Sequence, residues 1–358
     1  IILKHGISAP VDKIPGHEFV WNCTSDNWLF PGGEPLNDEL QFSKHFRLKP
    51  IENQSFLLGN CRAGELLDLG INQIKNLATF LKKIYSNFIP TSFNRRILSF
   101  RSSYTSRCMS SIQILAQNLF PNKKPVDVFV ANEELDSIVP NPYLCPALSL
   151  IYDSMNQKNT NFSIDLSSYN KHLNQIQNAS KITAVPHWMR MTEYLTNTKC
   201  AKFPYPGKFS DSFLNESTHL FLHFFKDSLN NFDGLKYGTG ILISEIYLGM
   251  RDYLAGRSDS QLTFISGHTL TFISIFSALN LSLEWPPYAS FISFDLLLKK
   301  NSVLSTENLI LRVLYNGQII KEMPFSEFEK WALKIRPTEE ECKIKYPFIE
   351  KDKKKTMT

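Results

Sequence analysis

The chain has 358 residues, 43% of them hydrophobic and 20% charged, with a net charge of +5. That length buries a large core, as one big domain or as a core with an inserted second one, and the balance is that of an ordinary globular protein. Basic residues are scattered apart from Lys351-Asp352-Lys353-Lys354-Lys355, which reads as a solvated tail, so no nucleic-acid partner is expected. No apolar run approaches the ~20 residues that span a bilayer, so no membrane partner is expected either.

Ile1-Ile2-Leu3 reads as a short buried strand entering a loop at His5-Gly6, with Pro10 and Pro15 punctuating the next stretch. Residues 17–60, rich in aromatics, Gly and Pro, read as a long ordered loop. Leu67, Ile71, Ile74, Leu77, Leu81 and Ile84 recur at helical spacing and predict an amphipathic helix from Leu67 to Tyr85. Ile97 to Phe100 reads as a strand, Ser110 to Leu119 as a helix ending near Pro121, and Val126 to Val130 as a strand. From about 137 to 235 the chain turns polar, Asn-rich and helical in pattern, with loops at Pro186 and at Pro204-Tyr205-Pro206-Gly207. Gly240 to Leu254 is a second amphipathic helix. Gln261 to Ser266 is a strand running into Gly267-His268, followed by a helix from Leu270 to Leu279. Ala289 to Leu298 and Leu309 to Tyr315 read as antiparallel neighbours. Strands alternating with helices predict an α/β sheet flanked by helices. Residues 1–136 and 236–358 would form this core, with 137–235 inserted as a mostly helical cap.

The chain begins at Ile1, directly on an apolar strand, which is expected of a mature form without its signal peptide. Six Asn-x-Ser/Thr sequons, at Asn22, Asn53, Asn161, Asn178, Asn215 and Asn280, fit export of a glycoprotein. Six cysteines (23, 61, 108, 145, 200 and 342) are widely spaced with no Cys-x-x-Cys, so disulfides in an oxidising compartment are expected rather than zinc or thioredoxin chemistry. His17, His45, His172 and His187 have no metal-ligand spacing. His219 and His223 stand i, i+4, a spacing that can bind zinc. No glutamate follows His219, and Phe221, Leu222, Phe224 and Phe225 surround the pair, so a packed face is favoured over a ligand pair. No metal and no cofactor are expected.

Motifs in a fixed order along the chain carry a resemblance to a known family. Leu3-Lys4-His5-Gly6-Ile7-Ser8-Ala9-Pro10 resembles the Arg-His-Gly-x-Arg-x-Pro signature of the histidine acid phosphatases. Arg101-Ser102-Ser103-Tyr104-Thr105-Ser106-Arg107-Cys108-Met109-Ser110 resembles their Arg-Ser-Thr…Arg…Met-Ser segment. Ser266-Gly267-His268-Thr269-Leu270-Thr271 stands where the family has Ser-Ala-His-Asp-x-Thr. Ser277-Ala278-Leu279, Pro286-Pro287-Tyr288-Ala289-Ser290 and Leu314-Tyr315-Asn316-Gly317 continue the match, which is best to secreted animal acid phosphatases. The resemblance implies a histidine-phosphatase-like sheet whose strand ends open on the active-site crevice. In active members the first histidine attacks phosphorus, three arginines and the second histidine hold the phosphoryl oxygens, and an aspartate protonates the leaving group. Carried over, His5 is the nucleophile position, Lys4, Ser8 and Arg101 stand at the arginine positions, His268 binds phosphate and Thr269 replaces the acid.

Those replacements imply a pseudoenzyme. A charge-assisted hydrogen bond is worth roughly 1.5–3 kcal/mol, so Ser at position 8 weakens phosphate holding by ~10- to 100-fold. Lys4 keeps the charge without the planar fork. Loss of a general acid typically costs ~10²–10⁴ in rate, and the Thr269 hydroxyl is too weak an acid to replace it. His5 is favoured as a hydrogen-bonded pocket residue over a working nucleophile. Arg101, at a strand end, is favoured for the pocket over a structural ion pair; Arg107, on the helix, is favoured as structural. Trp188 falls where active relatives place a substrate-lining aromatic, with core packing as the competing role. The resemblance also implies a Cys145–Cys342 bridge. Residues 17–60 match the family poorly, and Cys23 is paired with Cys61 because the two bracket that insertion. Cys200 resembles a half-cystine whose usual partner position here is Phe291, so pairing with Cys108 is a default, the other outcome being a buried free thiol at Cys108.

A disarmed pocket is less charged and suits a small organic ligand. The pattern of loss resembles degenerate family members in flea saliva, which bind biogenic amines and leukotrienes. The expectation is therefore a secreted salivary protein that sequesters serotonin-like amines or eicosanoids with Lys4, His5, Ser8, Arg101, Trp188, His268 and Thr269. An amine would want a carboxylate, with Glu18, Glu133, Glu134 and Asp153 as candidates, and ring stacking; a fatty-acid carboxylate would want Arg101 or Lys4. The competing expectations are a residual phosphatase working through His5 and a structural glycoprotein that binds no small molecule.

Overall fold

A computed structural model describes residues 1–11, 19–23, 57–121, 125–158, 187–205, 209–282 and 284–343. The expected sheet is present. In chain order its elements begin with β1 (Ile2–Lys4), a small parallel pair β2 (Val20–Trp21) and β3 (Leu58–Gly59), helix α1 (Asp68–Ile84), β4 (Leu98–Ser102), α2 (Ser106–Leu119) and β5 (Val128–Val130). Helices α3 (Ala147–Lys158), α4 (His187–Cys200), α5 (Asp211–Leu229) and α6 (Gly240–Leu254) follow. Then come β6 (Leu262–Gly267), α7 (Thr269–Ala278), β7 (Phe291–Leu298), β8 (Leu309–Tyr315), β9 (Gln318–Pro324), α8 (Phe325–Lys334) and α9 (Glu339–Cys342). Seven strands form one sheet in the order β5-β4-β6-β1-β7-β8-β9. The first four run parallel, and β7, β8 and β9 form an antiparallel extension.

The short strand β1 has both neighbours. Ile2 pairs with Ile265 and Ile292, and Lys4 with Gly267. Its alternate side chains enter opposite cores, because a strand's successive side chains point to opposite faces. Leu3 packs with Ile74, Leu77, Phe100, Ile112, Phe264 and Phe291 against α1 and α2. Ile2 packs with Ile265, Phe272, Ile292, Leu311 and Phe325 on the other face, against α6, α7 and α8. A strand covered on both faces reads as continuous apolar sequence, which is why Ile1-Ile2-Leu3 shows no alternation.

Helix α1 follows its sequence pattern. Gly70, Ile74, Leu77, Ala78 and Leu81 are its buried face, Asp68 sits in the first turn and Lys82 and Lys83 in the last, as the helix dipole favours. Gly6 crosses this helix at Gly70. A Cβ on Gly6 would stand 2.5 Å from the Gly70 carbonyl oxygen, and one on Gly70 would stand 2.3 Å from that of Ile7. The loop carrying His5 lies against the helix because neither residue has a side chain.

Three expectations change. Helix α2 starts at Ser106, four residues before Ser110. Strand β9 and helix α8 were not expected. β9 is a polar edge strand with no fully buried residue, so its apolar pattern is weak. The signal that marks it is Asn316-Gly317, whose φ values of 49° and 85° make the tight β8–β9 hairpin. The bridges Cys23–Cys61 and Cys145–Cys342 are both formed. Cys108 and Cys200 are free thiols, which overturns their default pairing; Phe291, the usual partner position of Cys200, is a buried strand residue. Among the described residues no helix is long and apolar enough to cross a membrane.

Candidate active site

The C-terminal ends of β1, β4 and β6 lie side by side, with Lys4 opposite Gly267 and Ser102 opposite Ser266. The next residue of each strand continues the register. His5 N donates to the Gly267 carbonyl (3.1 Å) and Ser103 N to that of Ser266 (3.0 Å). This is the crevice that parallel sheets open at their strand ends. His5, Ser103 and His268 meet there, and the two histidine rings stand 5.5 Å apart edge to face.

Arg107 joins them. From the first turn of α2 its Nε donates to His5 Nε2 (3.2 Å) and its terminal nitrogen approaches His268 Nδ1 (3.4 Å). An arginine only donates, so both ring nitrogens accept. His5 therefore carries its proton on Nδ1, 2.7 Å from the Gly6 carbonyl oxygen. His268 carries its proton on Nε2, 2.9 Å from Ser103 Oγ and 3.4 Å from Thr105 Oγ1. Both histidines are held well below their ordinary value of 6.5, chiefly by burial and then by the Arg107 charge. They are neutral in the folded protein. The Nε2 lone pair of His5 is the atom a nucleophile would use, and the Arg107 guanidinium sits on it.

The floor is a buried cation against aromatic rings. Lys4 is fully buried, and its Nζ donates to the Pro286 carbonyl at 2.7 Å. The ammonium lies 4.3 Å from the Tyr288 ring centre and 5.5 Å from that of Trp285, an attraction worth ~0.5–2 kcal/mol. Burial pushes Lys4 down to about 7, with a smaller opposing pull from Glu193. Tyr288 also stands 5.7 Å from the His5 ring. Cys108 lies behind His268, its sulfur 3.4 Å from Nε2 and donating to the Gly267 carbonyl at 3.4 Å. Burial pushes its thiol up to about 11, so it stays protonated. Thr269 is the buried first residue of α7. His268 precedes it as the N-cap, its backbone N–H donating to Thr271 Oγ1 at 3.0 Å.

Of the residues marked in the sequence, Lys4, His5, His268 and Thr269 stand at the strand ends. Ser8 is buried, and its backbone bridges to Leu66 ahead of α1. Arg101 is a correction. Its guanidinium donates to Glu245 (2.7 Å) and Ser137 Oγ (2.6 Å), away from both histidines. Strand alternation explains this, because Leu98, Phe100 and Ser102 are the buried face of β4 and Arg101 projects on the other, toward α6. Arg107, expected to be structural, is the arginine of the site. Trp188 belongs to the first turn of α4, and its side chain lies outside the described residues, as does all of Glu18. Glu133 and Glu134 are exposed on a single 3-10 turn, and Asp153 is exposed on α3. The sequence does not mark Trp285 and Tyr288 as site residues, although the Pro286-Pro287 pair between them belongs to a recognised motif.

Parallel strands flanked by helices, with a histidine at the end of the first strand and another at the end of β6, are the arrangement expected of the histidine phosphatase superfamily. A model of the histidine phosphatase superfamily (branch 2) matches residues 31–316, and the chain belongs to that family. The matched range begins after the His5 segment, which the sheet itself places between β6 and β7. The chain is similar to counting factor 60 of Dictyostelium discoideum, with 22% identity over 344 residues covering 89% of this chain and 79% of that one. It is 24% identical over 278 residues to "Putative acid phosphatase 5" of Caenorhabditis elegans, covering 71% of this chain and 62% of that one. The phytase of Hafnia alvei in complex with myo-inositol hexakis sulphate superposes with a TM-score of 0.61 at 11% identity, covering 96% and 97% of the two chains. At that identity the likeness is one of fold.

Proposed function

We propose that this member of the family is catalytically silent and sequesters a small mediator at the His5–His268 pocket. The observation that carries the reading is Thr269 at the first position of α7, beside His268. Among the described residues the side-chain hydrogen bonds of the two histidines run to Arg107, Ser103, Thr105, Cys108 and the Gly6 carbonyl, with no carboxylate among them. Both rings are neutral and the hydroxyl of Thr269 is a very weak acid, so neither histidine nor the residue after His268 supplies a proton to a leaving alkoxide.

Of the two mediator classes, the electrostatics favour the acidic one. Arg107 is the leading charge on both histidines, Lys4 is a weaker, partly protonated cation beside them with Glu193 acting on it from further off, and Trp285 and Tyr288 pack against Lys4. A leukotriene-like carboxylate on an acyl chain fits that set better than an ammonium. Secretion, into saliva or another extracellular fluid, is supported by the two disulfides.

The test is a pair of measurements on one preparation. Hydrolysis of an aromatic phosphate ester is followed from pH 4 to 8, and calorimetry follows titration with leukotrienes and biogenic amines. We expect no turnover above background and stoichiometric binding of the acidic ligands. Turnover abolished by His5→Ala would overturn the reading in favour of a residual phosphatase. Arg107 favours that second reading, because its guanidinium still spans both histidines as a phosphate holder would.

A further inference from the structure

Helix α5 carries a feature unrelated to the pocket. His219 and His223 are four residues apart, and their Nε2 atoms stand 3.0 Å from one another. Their ring centres are 4.2 Å apart, with the planes tilted by 51°. The sequence favours a packed face for this pair, but the structure leaves His219 in solvent and only half-buries His223. Phe221, Leu222, Phe225 and Leu229 face the core beside Ile273. His219 is exposed with Glu216 and Lys226, and His223 is half-buried at the edge of that solvent face. The aromatic neighbours lie on the opposite side of the helix, so no packing accounts for two imidazoles turned tip to tip.

We propose that His219 and His223 form a bidentate surface site for a divalent transition ion of the Cu²⁺ or Ni²⁺ kind. Imidazole is the ligand such ions take, and i, i+4 on a helix places two of them on one face. A metal at the usual ~2.05 Å from each nitrogen would subtend about 94° across the 3.0 Å gap. That is the cis angle of a square-planar or octahedral ion, and it is narrower than the tetrahedral angle of structural zinc. In the metal-free pair one imidazole must donate its Nε2 proton to the other. Binding requires only that this proton move to Nδ1, which frees both lone pairs for the metal. Among the described residues no group of three or more His, Cys, Asp or Glu side chains is placed to hold a metal, so water completes the coordination. The site is thus exchangeable, and it lies on the helix that packs against α7, whose first turn holds Thr269.

The experiment is a titration of the full chain with Cu²⁺, followed by calorimetry and electron paramagnetic resonance. One equivalent should bind, with a tetragonal spectrum whose splitting counts two imidazole nitrogens. His219→Gln and His223→Gln, both near the solvent face, should each weaken this binding by ~100-fold, the advantage that a second tethered ligand confers. Cu²⁺ should raise the thermal midpoint of the wild type and leave those of the two variants unchanged. Absence of binding, or one-equivalent binding that survives in the double variant, would overturn the proposal.

Discussion

Arg101 and Arg107 are six residues apart at the same corner of the sheet and do opposite work. Arg101 is still inside β4, so its direction is set by the pleat. It leaves on the face toward α6 and closes an ion pair with Glu245, both partners partly exposed. Arg107 is past the strand end, in the first turn of α2, where a side chain can reach back over the crevice to His5 and His268. The same residue type is thus a rim clamp in one place and the bridge of the site in the other. The difference is one of backbone, because a strand points its side chains across the sheet and the next helix points them over its end.

The sharpest way to break that comparison is to truncate each arginine in turn. Arg107→Ala should weaken an acidic ligand by ~10- to 100-fold in a calorimetric titration, the worth of one charge-assisted hydrogen bond. Arg101→Ala should leave the affinity where it was. Equal losses in the two variants would remove the distinction.

A second, smaller effect appears in acid. His5 and His268 are neutral when folded and ordinary when unfolded, so below about 6.5 the unfolded chain takes up protons that the folded chain refuses. Stability is therefore full above pH 6.5 and falls as pH drops through it, by at most ~1.4 kcal/mol per pH unit for each histidine. Denaturant midpoints between pH 4.5 and 7.5 read this slope. Arg107→Ala should flatten it in part, because burial is the larger cause and remains. Arg101→Ala should leave the slope unchanged.

The smallest effect is the stability cost of the rim. Glu245→Gln and Arg101→Ala should each lower stability by no more than ~1 kcal/mol, as partly exposed ion pairs do. A double-mutant cycle on thermal midpoints would return their coupling. A coupling several times larger would mean that the pair holds the crevice open and is not a rim contact.

The sequence carried the sheet and both histidines, because each strand of the crevice ends on a readable motif. Leu3-Lys4-His5-Gly6 and Ser266-Gly267-His268 pass from apolar run to loop within one residue, and that transition sets the crevice. It did not carry the aim of a side chain. The choice between Arg101 and Arg107 turns on where β4 stops and α2 begins, a boundary of a few residues that composition does not resolve. Trp285 and Tyr288 both reach Lys4 from either side of Pro286-Pro287, ahead of a turn in which Ala289 takes a φ of 57°. The histidine pair of α5 is surrounded by aromatics in sequence, but these lie across the helix in space. The edge strand β9 lacks an apolar pattern because an edge has little to bury.

The place of β1 in the sheet also sets a schedule. Its partners Ile265 and Ile292 are more than 260 residues further along the chain. At ~5–20 residues per second, a ribosome takes roughly 15–60 s to make that stretch. Until then β1 is an apolar segment without its sheet partners, and His5 has no His268 to face. The pocket cannot ripen piecemeal during synthesis. It closes when β6 and β7 dock on either side of β1, so Ile2 to Lys4 must stay sheltered until both have been made.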